Sequence, residues 1–368
     1  MHDSQPRRSA IVLAIDGLRC AELGAYGGAT RDTPALNRLA CESVIGDWAF
    51  AATDDPFAVY RSAQAFPTGW GKQQLVTDDE QVVRLPAFES FDEATVVTGA
   101  GNARPAPTID DTGLASVFAA LGDCLAEADP DRPSLTWLHS RGMVGPWDAP
   151  HQLVIDGLGD DDLWPLPDAS PPSSERSRND DPDAVFEATW RYAAQVAVLD
   201  ECVDGLLAAL PRLFPADRQP LIVLMGLRGY PLGEHGRIGL PEAGPYAESR
   251  HVPLWVRQPG RPPGVRVEGL LASDQLPALL EPLASDEPAE AVLAGAAPEK
   301  LVLRGELRST LRTPKWALVA GGAEGDDPPP QPELYAKPDD RWEANDVASI
   351  EPERVQALEA LLASDGER

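Results

Sequence analysis

Short apolar runs alternate with amphipathic stretches along most of this chain. Residues 10–15 and 221–225 are entirely apolar, and they end at Asp16 and Gly226. Runs of this length and composition are typical of strands covered on both faces. Further strands are predicted at residues 43–51, 94–98, 134–139 and 252–257, and helices at residues 34–42, 114–128, 183–210 and 273–283. The alternation predicts an α/β fold with a mainly parallel central sheet flanked by helices.

The pattern changes after about residue 300. Short strands are predicted at residues 300–304, 306–312 and 315–320, followed by an acidic proline loop and a helix at residues 352–363. We therefore expect a main α/β domain over residues 1–299 and a small C-terminal subdomain, an antiparallel sheet with a helix, over residues 300–368. A stretch rich in Asp, Pro and Ser, at about residues 156–183, predicts an exposed excursion from the main domain.

Composition narrows the possible partners and location. The chain has 368 residues, is 43% hydrophobic and carries a net charge of −28 from 59 acidic and 31 basic residues. Such a surface repels phosphate backbones and anionic lipid, so we expect neither nucleic-acid nor membrane binding. The apolar stretch near the N-terminus is too short for a signal peptide. Four scattered cysteines without a CxxC pair indicate reduced thiols, and together these features predict a cytoplasmic protein.

An ordered series of short motifs runs through nearly the whole chain. The segments that carry it are Asp16-Gly-Leu-Arg19, Phe66-Pro-Thr-Gly69, Gly145-Pro-Trp147, Gly233-Glu-His-Gly236 and Glu333-Leu-Tyr335. In this order and spacing they resemble the sulfatase family of the alkaline-phosphatase superfamily. The resemblance implies an alkaline-phosphatase-like sandwich and, in active members, an ester-hydrolase site built around a divalent cation.

The positions that should carry the reaction are altered. The resemblance implies a Cys or Ser nucleophile at the start of a run that leads to Thr68-Gly69, and this alignment places Val59 there, with Ser62 at a frame position. Valine has no nucleophilic atom. Val144 stands where the family has its acid/base histidine, and Leu240 where it has a lysine. We therefore expect no catalytic residue at these vestigial positions, and we interpret the nearby His139 as a core histidine.

The metal ligands implied by the resemblance are also replaced. The family has Asp-His directly after the strand at residues 221–225, whereas this chain has Leu227 and Arg228 near that position. Leucine offers no donor atom, and arginine brings a positive charge. Asp16 alone does not hold calcium, so no metal cofactor is expected. Instead, Arg228 is predicted to pair with Asp16 across neighbouring strand ends.

These losses predict a catalytically inactive sulfatase-like protein that acts by binding a ligand, a protein partner or another copy of itself. A further hypothesis is a cationic cluster that holds a sulfated or phosphorylated small molecule or carbohydrate without cleaving it. Its candidate residues are Arg19, Arg61, Arg228 and His235. The competing interpretation pairs Arg19 and Arg61 with local acids such as Glu22, Asp54 and Asp55. A carbohydrate face on exposed Trp70 and Trp147 is also considered, although tryptophan is more often a core residue.

An alternative keeps the chain active through different residues. Thr53 would be the nucleophile of a metal-dependent sulfuric or phosphoric ester hydrolase or transferase, with Asp54 or Asp55 as calcium ligands. The loop at residues 226–229 lacks ligands under either alignment.

Overall fold

The structure of the chain is a computed structural model. It describes residues 8–62, 66–67, 69–99, 101–129, 131–156, 168–175, 182–240, 244–262, 264–322 and 330–366.

The strands of the described residues build one large sheet, one small sheet and a short ribbon. In chain order they are β1 (Ala10–Ile15), β2 (Val44–Phe50), β3 (Lys72–Thr77), β4 (Glu93–Val96), β5 (Ser134–Ser140), β6 (Ser174–Glu175), β7 (Leu221–Gly226), β8 (Arg237–Ile238), β9 (Leu254–Arg257), β10 (Val265–Ala272), β11 (Leu301–Arg304), β12 (Ser309–Arg312), β13 (Trp316–Ala320) and β14 (Glu333–Ala336). Within these residues, eight strands form the central sheet in the order β10-β2-β9-β7-β1-β5-β3-β4. All its neighbours pair in parallel except β9, which is antiparallel to β7 and to β2.

Helices pack on both faces of this sheet. In chain order the α-helices of the described residues are α1 (Pro34–Cys41), α2 (Ala58–Ser62), α3 (Gly113–Ala126), α4 (His151–Ile155), α5 (Pro182–Leu213), α6 (Ala247–Arg250), α7 (Leu276–Ala284), α8 (Ala289–Ala296) and α9 (Pro352–Gly366).

Strand β1 shows how the sequence produces the two layers. Successive side chains of a strand point to opposite faces of the sheet. Ile11, Leu13 and Ile15 accordingly lie in one apolar core with residues of α1, α3 and α5. Val12 and Ala14 lie in the other core with residues of α2, α7 and α8. A strand buried on both faces has to be apolar throughout, and the predicted α/β fold with a mainly parallel sheet is confirmed.

The C-terminal part forms its own sheet and core. Strands β11, β12, β13 and β14 pair antiparallel in sequence order. Leu311, Leu318 and Leu334 from this sheet pack against Val355 and Leu358 of α9. The predicted small antiparallel sheet with a helix is therefore confirmed. The division into domains at residue 300 stays a prediction.

Two strands of the central sheet, β3 and β10, are absent from the prediction. Strand β3 begins with polar residues, and two of them are buried glutamines whose side-chain nitrogens have partners inside the protein. Gln73 donates to the Pro67 carbonyl at 3.0 Å, and Gln74 to the Glu93 carboxylate at 3.2 Å. Strand β10 lies at the sheet edge, where Arg266 and Glu268 are exposed. Because both strands contain polar residues, neither shows the apolar pattern from which strands are predicted.

The predicted excursion at residues 156–183 lies largely outside the described residues. Its described part, residues 168–175, contacts the main body. The Ala169 carbonyl accepts from the backbone of Trp147 at 2.6 Å, and Ala169 is buried. Strand β6 pairs with β8. Of this part, residues 173–175 are exposed as expected.

Among the described residues there is no helix whose length and hydropathy would allow it to cross a bilayer.

Candidate functional site

The candidate site lies at one edge of the central sheet, where several strands end. Asp16 directly follows β1, and Arg228 lies two residues beyond β7. Strands β1 and β7 pair in parallel with Ile15 opposite Gly226. The loop at residues 51–57 follows β2, which runs in the same direction. The carboxyl ends of such strands are where α/β proteins hold their functional side chains.

Asp16 and Arg228 form a bidentate ion pair at this edge. Arg228 Nε donates to Asp16 Oδ1 at 2.8 Å, and Arg228 Nη2 donates to Asp16 Oδ2 at 2.9 Å. Arg228 Nη1 donates to the Asp54 carbonyl at 2.9 Å. Asp16 is only 4% exposed. The predicted approach of Arg228 to Asp16 is confirmed, and the same guanidinium also ties down the loop after β2.

Burial and pairing act against each other on this carboxyl group. Burial is the largest influence and raises the pKa of Asp16, while the Arg228 guanidinium opposes that rise. Two parallel N–H···O bonds between a guanidinium and a carboxylate are a strong form of charge-assisted hydrogen bonding. Without Arg228, the Asp16 carboxylate would be a buried charge without its cationic partner.

The donor set at this edge does not fit the calcium ion that the resemblance implies. Both oxygens of Asp16 already accept from Arg228. Leu227 is buried in the apolar core on the α2 side of the sheet, and its backbone N–H donates to Ile15. Across the described ranges, no group of three or more His, Cys, Asp or Glu side chains could hold a metal ion. Calcium requires six to eight oxygen ligands.

The glycines that flank Leu227 and Arg228 are required by close packing of the backbone. A Cβ at Gly229 would lie 2.1 Å from the Glu248 carbonyl oxygen. A Cβ at Gly226 would lie 2.6 Å from the Leu18 carbonyl oxygen. Gly229 also donates its N–H to Ser249 at 2.8 Å. The loop at residues 226–229 is thus a packed turn whose path depends on glycine, and it presents Arg228 to Asp16.

The vestigial positions contribute apolar groups. Val59 lies in α2, is 4% exposed and belongs to the apolar core on that side of the sheet. Val144 is half-buried and packs against the core on the other face. Leu240 is half-buried, and its carbonyl accepts from Ser173 Oγ. The side chain of Ser62 lies outside the described residues.

His139 belongs to a buried hydrogen-bond chain. Trp137 Nε1 donates to the Tyr60 hydroxyl at 3.1 Å, and that hydroxyl lies 2.7 Å from His139 Nδ1. Burial, helped by the positive charge of Arg228, lowers the pKa of His139 to about 3. The ring is therefore neutral, and its tautomer decides whether Nδ1 accepts from the Tyr60 hydroxyl or donates to it. The interpretation of His139 as a core histidine is confirmed.

We expect Tyr60→Phe to lower the free energy of unfolding by about 2 kcal/mol or more. The change removes one hydroxyl but leaves two buried polar atoms without a partner, Trp137 Nε1 and His139 Nδ1, and each such atom costs about 1–3 kcal/mol. Denaturant unfolding at neutral pH measures the loss. Tyr335→Phe is the matched control, because among the described contacts that hydroxyl donates to the Glu333 carboxylate alone, which is partly exposed. Equal losses in the two variants would contradict the proposed chain.

Arg19 is bound by a carboxylate that the sequence did not indicate. Its Nη2 lies 2.5 Å from Glu234 Oε1, and its Nη1 donates to Glu234 Oε2 at 3.2 Å and to the Tyr230 carbonyl at 3.1 Å. Burial would raise the pKa of Glu234, but Arg19 outweighs it and the pKa is lowered. The Glu of the Gly-Glu-His-Gly motif thus serves Arg19, and Glu22, the suggested local partner, forms no ion pair with it among the described contacts.

His235 is enclosed by acidic and aromatic groups. Its Nδ1 lies 2.8 Å from Glu248 Oε1, and its Nε2 lies 3.0 Å from the Glu343 carbonyl. The ring stacks on Tyr246 with centroids 3.8 Å apart. Burial disfavours the charged ring, yet Glu248 and Glu343 together raise the pKa of His235 above its ordinary value.

The candidate cations therefore do not form one shared anion cluster. Arg61 Nη1 lies 2.7 Å from Asp55, one of the acids proposed as its local partner, and the Arg61 side chain is 65% exposed. With Arg228 on Asp16 and the pairs described above, each of the four candidates faces its own carboxylate. Arginine forks that already bind carboxylates have little capacity left for a sulfate.

The proposed carbohydrate face is wrong. Trp70 is 9% exposed and Trp147 is 3% exposed. Trp147 Nε1 donates to the Met143 carbonyl at 2.7 Å, and the Arg191 guanidinium lies 5.6 Å from its ring centroid. Both rings are core residues.

The residues of the alternative enzyme hypothesis hold their own loop together. Thr53 Oγ1 accepts from the Asp55 backbone at 3.3 Å, and Asp55 Oδ1 accepts from the Phe57 backbone at 3.0 Å. Asp54 offers its carbonyl to Arg228. These bonds are typical of a turn that leads into a helix.

Sequence reasoning also missed Asp78, which directly follows β3 at the same edge. Asp78 accepts from the Arg141 backbone at 2.8 Å and lies 3.4 Å from Ser140 Oγ. Burial raises the pKa of this carboxyl group. Because β3 was not predicted, nothing in the sequence placed Asp78 at a strand end.

Comparisons with solved structures establish the fold. The chain superposes on the phosphonate monoester hydrolase of Agrobacterium radiobacter with a TM-score of 0.71 at 17% identity, covering 98% of this chain and 96% of the hydrolase. A protein solved with its substrate D-glucosamine-2-N,6-O-disulfate gives a TM-score of 0.71 at 14% identity over 98% and 97%. A 2-O glycosaminoglycan sulfatase gives 0.65 at 18% identity over 98% and 92%. The chain thus has the fold of these proteins, a sulfatase-like fold, over nearly its whole length.

No family model and no curated protein matches the sequence.

Proposed function

We propose that this protein with a sulfatase fold is a pseudoenzyme, which has lost ester hydrolysis and acts by binding. The observation that carries the proposal is the bidentate Asp16–Arg228 pair. It occupies the carboxylate that the resemblance assigns to the metal, and it supplies a fixed positive charge at the same place. A cation and a guanidinium do not share one carboxylate at this distance without strong repulsion.

The altered reaction positions support the same proposal. Hydrolysis by the mechanism that the resemblance implies needs a nucleophile, a cation and a group that protonates the leaving oxygen. Val59, Leu227 and Val144 supply none of these, and two of the three are buried in apolar cores. Loss of all three functions makes partial activity by the same mechanism implausible.

The proposed ligand is a sulfated or phosphorylated small molecule or carbohydrate. The neighbour solved with a disulfated glucosamine supports this class, since a fold that has lost its reaction can keep its ligand. We also propose a cytoplasmic location, which the four free cysteines support because oxidising compartments favour disulfides.

Metal analysis and hydrolase assays on the same purified protein test the inactivity. We expect no stoichiometric bound metal after dialysis, and no turnover of aryl sulfates, phosphonate monoesters or phosphodiesters above background with added calcium, manganese or zinc. Turnover that disappears in Thr53→Ala would instead support the alternative metal-dependent hydrolase or transferase. Turnover that survives Thr53→Ala would contradict both.

A matched variant tests the altered metal position directly. Leu227→Asp combined with Arg228→His restores the two residue types that the resemblance places beside Asp16. We expect this double variant to gain saturable divalent-cation binding in calorimetry, with hydrolysis still absent because Val59 remains. Leu227→Asn combined with Arg228→Gln is the uncharged control. Equal cation binding by the wild-type protein would argue that Arg228 does not take the cation's place.

A further inference from the structure

A pocket lies at the seam between the central sheet and the C-terminal sheet. Its volume is about 550 Å³. Its lining includes Trp48 of β2, Leu270 of β10, Arg312 at the end of β12, Lys315 and Arg341. We call this cavity the seam pocket. None of its lining residues belongs to the Asp16–Arg228 edge.

Arg312 is a buried cation without a carboxylate partner among the described residues. It is 2% exposed. Its Nη1 donates to the Thr313 carbonyl at 3.1 Å and reaches the Trp316 carbonyl at 3.5 Å, while its buried Nε has no hydrogen-bond partner within the described part of the chain. Its guanidinium carbon lies 4.9 Å from the ring centroid of Trp48. An aromatic ring offsets only part of the hydration that a buried charge loses.

Arg341 reaches the same tryptophan. Its guanidinium carbon lies 4.8 Å from the Trp48 ring centroid, and its buried Nε also finds no partner in the ranges that the structure describes. The nearest carboxylate is that of Asp47, at 3.9 Å. The Asp47 oxygen concerned already accepts from Arg266. Arg341 is therefore only weakly neutralised by Asp47, and it meets Arg312 at one aromatic ring.

The surroundings carry an excess of positive charge. Three cations line the seam pocket against two carboxylates, those of Asp47 and the exposed Glu268. Behind it, Lys337 and Glu343 neutralise each other at 3.1 Å. Burial lowers the pKa of the adjacent His251 to about 3, and the charges of Arg341, Arg312 and Lys337 push in the same direction. A local excess of cations is unexpected in a chain with a net charge of −28.

We propose that the seam pocket binds a phosphate or sulfate monoester whose oxyanion contacts the guanidinium groups of Arg312 and Arg341. Guanidinium forks match the geometry of such oxyanions. The organic part of the monoester lies against Trp48 and Leu270, with Pro314 and Pro338 completing the apolar wall. The ligand class is the same as in the proposed function, but the binding site consists of residues that lie outside the Asp16–Arg228 edge.

Calorimetric titration with inorganic phosphate, inorganic sulfate, a sugar monophosphate and a sugar monosulfate tests the site. We expect one saturable site per chain, tighter binding of the esters than of the inorganic ions, and at least tenfold weaker binding in Arg341→Met. Binding to the native state also raises the unfolding temperature, so the same ligands should stabilise the wild-type protein more than this variant. A preference for sulfate or phosphate identifies the source of the oxyanion.

Control variants separate binding in the seam pocket from a net-charge effect and from binding at the Asp16–Arg228 edge. Arg38→Met removes a surface arginine paired with Asp204 and should bind as the wild type does, which excludes a net-charge effect. Lys315→Met removes an exposed charge at the rim, should weaken binding less than Arg341→Met does, and keeps the experiment informative if Arg341→Met fails to fold. The proposal is overturned by a flat wild-type titration, or by binding that Arg341→Met retains and Arg228→Met loses. Hydrolase assays are scored separately, so failure of this site leaves the proposed inactivity unaffected.

Discussion

Arg228→Met is expected to lower the free energy of unfolding by about 3–5 kcal/mol, the cost of leaving one member of a buried ion pair without its partner. Asp16 is 4% exposed, so its carboxylate cannot recover its hydration in the folded state. The variant also loses the bond from Arg228 Nη1 to the Asp54 carbonyl, which anchors the loop after β2. Chemical denaturation at neutral pH measures the change.

A double-mutant cycle separates pairing from packing. Asp16→Leu should cost less than Arg228→Met, because the Arg228 side chain left unpaired is 17% exposed, whereas the Asp16 side chain is only 6% exposed. Asp16→Leu combined with Arg228→Met removes both charges, and we expect it to be more stable than Arg228→Met alone, since apolar replacement of a buried pair is often neutral. A loss of less than about 1 kcal/mol in Arg228→Met, the value of a surface pair, would show that the two groups are independent.

The elements at the centre of the fold could be predicted because their burial leaves a simple pattern. Strands β1 and β7 are covered on both faces and contain only apolar residues apart from the terminal glycine of β7. Asp16 and Arg228 follow neighbouring parallel strands, so their meeting could be inferred from strand adjacency. The edge strand β10 and the glutamine-containing β3 carry polar residues whose partners are distant in sequence. No local pattern reveals them.

The partners of the other cations could not be predicted for a related reason. Glu234 belongs to the Gly233-Glu-His-Gly236 motif, which is one of the motifs that carry the resemblance. Its pairing with Arg19, however, depends on how the loop after β7 folds back over the loop after β1. The seam pocket depends on Trp48 and Arg312, which come from different sheets. Side-chain pairs of this kind are fixed by tertiary packing, which sequence periodicity does not encode.

The two cationic regions differ in how their charges are satisfied. At the Asp16 edge, Arg19, Arg61 and Arg228 each meet a carboxylate at 2.8 Å or less. In the seam pocket, Arg312 has no carboxylate within 4 Å among the described residues, and the contact of Arg341 with Asp47 is at 3.9 Å. Charge neutralisation thus closes the Asp16–Arg228 edge to anions and leaves the seam pocket open to them. A binding function is better served by the second region.

Acidification from pH 7 to pH 5 is expected to destabilise the fold through two buried histidines, His139 and His251. Burial lowers the pKa of each to about 3, whereas an unfolded histidine has a pKa of about 6.5. Between about pH 3 and pH 6.5 the two histidines bind protons in the unfolded chain but not in the folded chain. The stabilisation is therefore complete above about pH 6.5 and is lost as the pH falls towards 3. At pH 5 each histidine accounts for about 2 kcal/mol, and the pair for about 4 kcal/mol.

Comparison of variants isolates this contribution from the carboxyl groups that titrate in the same range. His251→Asn keeps a donor for the Asp47 carbonyl, which His251 Nε2 contacts at 2.8 Å, and should lose about 2 kcal/mol less than the wild type between pH 7 and pH 5. His235→Asn should change the slope in the opposite sense. The raised pKa of His235 gives a stabilisation that is present below about pH 6.5 and lost as the pH rises through the folded value. Unfolding curves at several pH values measure both slopes, and parallel slopes in the two variants would contradict a lowered pKa for His251 and a raised pKa for His235.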